Sequence, residues 1–284
     1  MTRLIDLSVP LADNKRHAPR WARTTVRHQG HRLGLLAIWL LFRLGPRHLR
    51  TGLGWANDTI RLSTHGTTHV DAPWHYAPTS AGQPARTIDQ LPLEWFYADG
   101  VVLDLTHKRH GEAIEVADLR AALDRIGYAI KPRDIVLVRT GGDRLLHTRA
   151  YYTHGAGVSA AATYWLLDQG VKVVGIDAWG WDVALPVQAQ QAKASGRRDI
   201  FWAAHFVGVA REYCQIERLT NLDKLPPFGF RVCAFPLKVA GARPAPRGWW
   251  HSSRTRTRRR SSRTWMGLRP AGLVQRHDGR ADRA

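Results

Sequence analysis

Apolar positions along the chain fall into two rhythms. Short runs rich in β-branched and aliphatic residues occur at 99–106 (DGVVLDLT), 134–140 (DIVLVRT), 171–178 (VKVVGIDA) and 230–239 (FRVCAFPLKV). Runs with so little polar alternation predict strands buried on both faces. Between them the spacing turns helical: Val116, Leu119, Ala122, Leu123 and Ile126 recur at three- and four-residue intervals, and Gly127 supplies a stop. SAAATYWLLDQG (159–170) predicts another helix, with Ser159 as N-cap and Gly170 as stop. LIDLSVPL (4–11) predicts an opening strand, and the Gln/Ala/Arg-rich segment 184–198 an exposed connection. Strands alternating with helices predict an α/β fold, with residues 1–241 as a single domain.

The longest apolar run, LGLLAIWLLF (34–43), covers about 15 Å as a helix, roughly half a bilayer core. No transmembrane segment is therefore expected. The run predicts a buried or lid helix; the flanking Arg32, Arg43, Arg47 and Arg50 leave a membrane-surface contact or an oligomer interface as alternatives.

Charge changes this picture only at one end. The formal net charge is +19, and the segment 242–284 contributes +10 of it from twelve arginines and two aspartates. That segment lacks Lys, Ile, Phe, Tyr and Glu. It predicts either a disordered basic tail, unable to bury enough apolar surface to order itself, or a shift of reading frame near residue 241. A basic nucleic-acid-binding protein is the competing functional class, resting on the net charge and on this Arg-rich tail with its interspersed Trp; no specific nucleic-acid partner is expected. The two cysteines, Cys214 and Cys233, form no C-x-x-C pair and predict buried thiols in a reducing, cytoplasmic compartment. The opening MTRLIDLSVPLADN lacks the apolar core of a signal peptide.

The candidate chemistry lies in STHGTTHVDAPWHY (63–76), which places His65, His69, Asp71 and His75 within eleven residues. Gly66, Thr67, Thr68 and Pro73 argue for a loop, on which imidazoles four residues apart can still converge. Imidazole plus carboxylate suits zinc, manganese or iron, and the absence of thiolate points to a catalytic rather than a structural site. A histidine-rich surface loop is the plain alternative. His75, just past a proline, is available for proton transfer.

This stretch resembles the H-x-G-T-H-x-D-x-P-x-H motif of the cyclase-like metal-dependent hydrolases, the family that includes bacterial kynurenine formamidase and isatin hydrolase. The glycine is displaced, standing second here (Gly66) rather than third. A second match lies in AHFVGVAREYCQIERLTNLDKLP, where His205 and Glu217 stand twelve residues apart. GVVLDL, GVSAAATYWLLDQGVKVVGIDAWGWD and FGFRVCAFPLK are similar to the family's other blocks, so the resemblance covers roughly residues 1–241.

The resemblance implies a swivelling β/β/α domain with a mixed sheet and flanking helices. It implies one or two divalent metal ions, zinc first and manganese second, held by His65, His69, Asp71, His205 and Glu217, with Asp71 bridging. His75 becomes the general acid/base. The implied reaction is hydrolysis of an aryl amide by metal-bound hydroxide: N-formylkynurenine in tryptophan catabolism, or a lactam of the isatin kind. A homodimer or homotetramer is implied as well. Trp74, Trp179, Trp181 and Trp202, with Asp177 and Asp182 at the end of a predicted strand, are the candidate pocket residues. Aromatic walls would suit an aryl substrate; core packing is the alternative for each tryptophan. His154, in THGAGVS, is a further residue expected near a pocket.

Overall fold

The apolar runs build one sheet because each alternates between two cores. In the computed structural model, which describes residues 3–242 and 244–246, Val101, Leu103, Val136 and Val138 point into one buried cluster, and Val102, Ile135 and Leu137 into another on the opposite face. A strand with both neighbours of every residue buried reads as a continuous apolar run.

Strands β1 (Thr25–Gln29) and β2 (Asn57–Arg61) form a separate antiparallel ribbon. The main sheet holds β3 (His69–Asp71), β4 (Tyr97–Asp104), β5 (Ile135–Arg139), β6 (Val173–Ile176), β7 (Cys214–Glu217), β8 (Phe228–Cys233) and β9 (Pro244–Pro246). Their spatial order is β8-β4-β5-β6-β7-β3-β9. The four strands β4, β5, β6 and β7 are parallel, whereas β8, β3 and β9 join antiparallel to their neighbours. The fold is thus mixed α/β.

Helix α1 (His31–Phe42) joins the ribbon strands, and α2 (Pro73–Tyr76) follows β3. Helices α3 (Val116–Ile126) and α4 (Ala160–Asp168) bury Leu119, Ala122, Leu123, Ala162 and Leu166 in the first core. The caps behave as their residues dictate: the Ser159 side chain accepts from the backbone N–H of Ala162, and Gly127 ends α3 in the left-handed region at φ 62°. Helices α5 (Leu185–Ser195) and α6 (Val207–Ala210) complete the set.

Four expectations are corrected. Residues 4–11 bury Ile5 and Leu7, but only Ser8 makes a bridge, to Leu219. At Val9 both backbone groups are taken by side chains, the N–H donating to Thr68 Oγ1 and the C=O accepting from Thr67 Oγ1, while Leu7 C=O accepts from Thr220 N–H. Residues 185–195 are a helix rather than an irregular connection, because Ala, Gln and Lys are good helix formers, Pro186 sits in the first turn and Gly196 closes the end. Helix α1 is not a buried or lid helix. Only Gly34 and Ile38 are buried, while Leu33, Leu36, Leu40, Leu41 and Phe42 are exposed, since α1 is mounted on the ribbon outside the main sheet. The late strand stops at Cys233, short of Pro236, which lacks a donor for the ladder.

Cys214 is buried, Cys233 half-buried, and both are free thiols. No helix among the described residues is long and apolar enough to cross a membrane. In the segment expected to be a tail, residues 244–246 pair with β3 at the sheet edge; the Arg-rich remainder from 247 lies outside the described residues.

Candidate metal centre

The strand pair β3–β7 sets the site. The two strands are antiparallel, with Glu217 opposite His69 and Gln215 opposite Asp71. Because side chains alternate along a strand, His69 and Asp71 share a face with Glu217, while Val70 and Ile216 turn to the apolar core behind. His65 comes from the loop before β3, His75 from α2 after it, and His205 from the turn before α6.

These side chains converge. His65 Nδ1 lies 2.7 Å from His69 Nε2. Asp71 Oδ1 lies 3.6 Å from His65 Nδ1 and 3.4 Å from His69 Nε2. Its other oxygen, Oδ2, lies 3.9 Å from His75 Nε2 and 4.0 Å from His205 Nε2. Glu217 spans the two groups, with Oε2 3.5 Å from His69 Nε2 and Oε1 3.5 Å from His205 Nε2. Two overlapping sets of donor atoms result: His65, His69, Asp71 and Glu217 in one, and Asp71, His75 and His205 in the other.

Whether these residues fit a cation is decided by Asp71. Its carboxylate is fully buried, yet neither oxygen has a hydrogen-bond partner among the described residues. A buried, unpaired carboxylate is costly, and a divalent ion is the partner that would satisfy both oxygens at once. The ring nitrogens facing away from the centre are already engaged: His69 Nδ1 with Thr67 C=O at 2.9 Å, and His205 Nδ1 with Asp182 Oδ2. Such outer partners fix the tautomer and leave Nε2 free to ligate.

The proton affinities follow from this crowding. Burial works against a charge on His69 and His205. The carboxylates of Asp71 and Glu217 override it for His69, raising it to about 9, and those of Asp182 and Glu217 raise His205 to about 10. His65 is pushed down to about 4, chiefly by burial, and His75 is lowered for the same reason. Burial favours the neutral form of Asp71 and Glu217, but the surrounding imidazoles hold Asp71 well below the usual carboxylate range and Glu217 at about 2.

A cavity of about 150 Å³ opens on the cluster. His65, His75, His205 and Glu217 form its polar end, and Trp21, Tyr152, Trp179 and Trp202 line its walls. Trp202 is held in the left-handed region at φ 64°, uncommon for so large a residue. Its N–H donates to Gln188 Oε1, and its ring stacks on His205 with 4.5 Å between centroids. His154 lines the cavity as well, stacked on His110 at 4.5 Å.

The remaining candidates divide. Asp182 lies at the cavity wall, with its carboxylate committed to His205 and to the N–H of Ala204. Trp181 is core instead of pocket: its ring is fully buried, with Nε1 donating to Thr163 Oγ1, and only its backbone reaches the site, donating to Glu217 Oε1 at 2.9 Å. Asp177 does not line the cavity. It caps the turn after β5, accepting from Thr140 N–H and Oγ1 and Gly141 N–H, and burial raises it to about 6. Trp74 also lies outside the cavity lining.

The displaced glycine has a structural reason. A Cβ at Gly66 would sit 2.6 Å from Thr24 Oγ1 and 2.9 Å from Ser63 C=O, so the loop passes too close to the N-terminal segment for a side chain. At the next position, Thr67 uses its hydroxyl to tether Val9. Reasoning from sequence missed Asp182 as the holder of His205, Gln188 as the tether of Trp202, and Arg218. Of these, only Asp182 carried a signal, its position past the strand end.

Comparison with known proteins shows which family the chain resembles. The kynurenine formamidase of Bordetella petrii is 32% identical over 188 residues, covering 66% of this chain and 76% of that protein. The isatin hydrolase of Roseibium aggregatum is 28% identical over 188 residues, covering 63% and 67%. An isatin hydrolase crystallised with the product analogue thioisatinate shares the fold, with a TM-score of 0.68 at 20% identity over 88% of this chain and 92% of that one. The family described as "Putative cyclase" matches residues 5–183. Matched over more than half its length, the chain belongs to the cyclase family.

Proposed function

We propose that the protein is a metal-dependent hydrolase that cleaves the carbon–nitrogen bond of an aryl amide. The observation that carries this reading is the buried Asp71 carboxylate, without a hydrogen bond and flanked by four imidazoles, three of which (His65, His75 and His205) line an aromatic cavity. His65, His69 and Asp71 would hold one divalent ion, and Asp71, His205 and Glu217 a second where two are bound; zinc and manganese suit the donors. A bound ion supplies an acidified water and polarises the amide carbonyl.

The chain's own residues supply the rest. His75 faces the cavity and is lowered by burial, so at neutral pH its imidazole is free to accept a proton. Nε2 takes the proton from water and passes it to the nitrogen that leaves, so that water is added across the C–N bond. Trp179 and Trp202 line the cavity and offer apolar ring surface to an aromatic group. The expected homo-oligomer belongs to this proposal, with the exposed apolar side of α1 as the surface a second copy would cover.

Two kinds of substrate have been named, and the lining favours one. Among the described residues, the cavity wall contains no Lys or Arg, and its carboxylates, Asp182 and Glu217, are already occupied. N-formylkynurenine carries a charged amino-acid head that would find neither Lys nor Arg among the described lining residues. A neutral ring bearing an amide, such as formanilide or isatin, needs neither. The test is kcat/KM on formanilide, isatin and N-formylkynurenine with zinc or manganese supplied. The neutral compounds are expected to lead by about tenfold or more. Preference for N-formylkynurenine would refute the neutral-substrate reading, and no turnover of any would refute the hydrolase.

A further inference from the structure

Arg218 directly follows Glu217 and is 2% exposed. Its backbone is left-handed, at φ 62°, which turns the side chain out of the strand direction and back under the metal-site loop. A buried guanidinium normally demands a carboxylate. Arg218 has three aromatic rings around it instead: its Cζ lies 4.9 Å from the centroid of Trp179, 5.4 Å from Tyr151 and 5.9 Å from Tyr152. One hydrogen bond leaves this box, from Nη1 to the backbone carbonyl of His65 at 3.0 Å. Its own carbonyl accepts from Thr68 Oγ1, so the residue grips the 65–68 loop at two points.

The box joins three parts of the molecule. Tyr151 and Tyr152 pack with Ala18 and Ala22 of the N-terminal segment in a small core of their own. Trp179 and Tyr152 line the cavity, while Trp179 also meets Trp21 edge-on at 5.3 Å. The His65 carbonyl belongs to the residue whose imidazole opens the donor cluster.

We infer that Arg218 is a positioning residue that holds the His65 loop and the Trp179 wall as one unit, so that metal affinity and aryl-substrate binding depend on the same guanidinium. The inference rests on the proposal that His65 is a metal ligand. A planar guanidinium can lie against several ring faces while its edge donates to a carbonyl; an ammonium keeps the charge and one donor but cannot stack in the same way. A methionine keeps the volume and loses both.

The test uses the full chain, stripped of metal and titrated with zinc against a chromophoric chelator, with circular dichroism recorded on each sample. Arg218→Met should weaken zinc binding about 10- to 100-fold, the range seen when an outer partner of a metal ligand is removed. Arg218→Lys should recover part of that loss. On formanilide, Arg218→Lys should raise KM more than it lowers kcat, because the wall moves while His75 stays. Wild-type zinc affinity and KM in Arg218→Lys would overturn the inference. So would loss of zinc that only tracks loss of the dichroism signal in both variants, since that describes a residue needed for folding alone. A wild-type chain that binds no zinc would remove the metal proposal itself, a different outcome from equal binding by wild type and variants.

Discussion

The two halves of the candidate metal centre are built by different means. The first, from His65 to His75, converges within eleven residues: a loop that admits only glycine at position 66, a three-residue strand and one turn of helix. The second, His205 and Glu217, is brought in by the sheet and by a chain of buried hydrogen bonds. Glu217 arrives by cross-strand register opposite His69. His205 is held by Asp182, which also binds the N–H groups of Ala204 and His205, while Gln188 ties Asp182 to Trp202. The local half is specified by its own chain. The distant half depends on residues outside the donor cluster, and it should fail in a graded way.

Removing Asp71, whose carboxylate faces imidazoles of both halves, is expected to have the largest effect. Asp71→Asn should abolish metal retention and turnover together, because one amide oxygen cannot replace two carboxylate oxygens facing four imidazoles; elemental analysis of the purified variant checks this. His75→Ala comes next. It should lower kcat by about 10² to 10⁴ while the metal stays bound, the usual cost of losing a general acid–base group. Metal lost in parallel would make His75 a ligand, as its place beside Asp71 and His205 geometrically allows. Asp182→Asn should act only on the distant half, weakening metal binding about 10- to 100-fold with the fold intact.

The smallest effect is on stability and reads the same contrast through pH. In the metal-free chain His69 and His205 are raised to about 9 and 10, above their ordinary value. Their protonation therefore contributes stability that is fully present below about pH 6.5 and is lost as pH rises through 9 to 10. The metal-free Tm should fall between pH 7 and pH 10. The metal-loaded Tm should not, because ligation has already expelled those protons, and zinc affinity should rise with pH over the same interval.

The local half was legible in the sequence because its determinants are local: spacing, a proline and residue type. His205 and Glu217 were reachable only through resemblance, since nothing within a twelve-residue gap states that β7 will pair with β3. The sheet's interior strands were legible from apolar runs, and α3 and α4 from spacing and caps. What escaped depended on three-dimensional context. Trp179 and Trp181 stand two residues apart, yet one lines the cavity and the other fills the core with its ring donating to Thr163. Arg218 looks in sequence like one more surface cation and is instead enclosed by three rings. Helix α5 has little apolar periodicity to announce it, and α1 has an apolar run that ended up outside, because periodicity does not report where an element is mounted.

The central claim, that the two halves form one metal site, is tested most directly by the metal content of the purified chain compared with that of Glu217→Gln, a change in the distant half only. The account predicts at least one divalent ion per wild-type chain and a reduced content in the variant with its secondary structure unchanged. A wild-type chain that takes up neither zinc nor manganese when both are offered, or a variant that holds as much metal as the wild type, would contradict it.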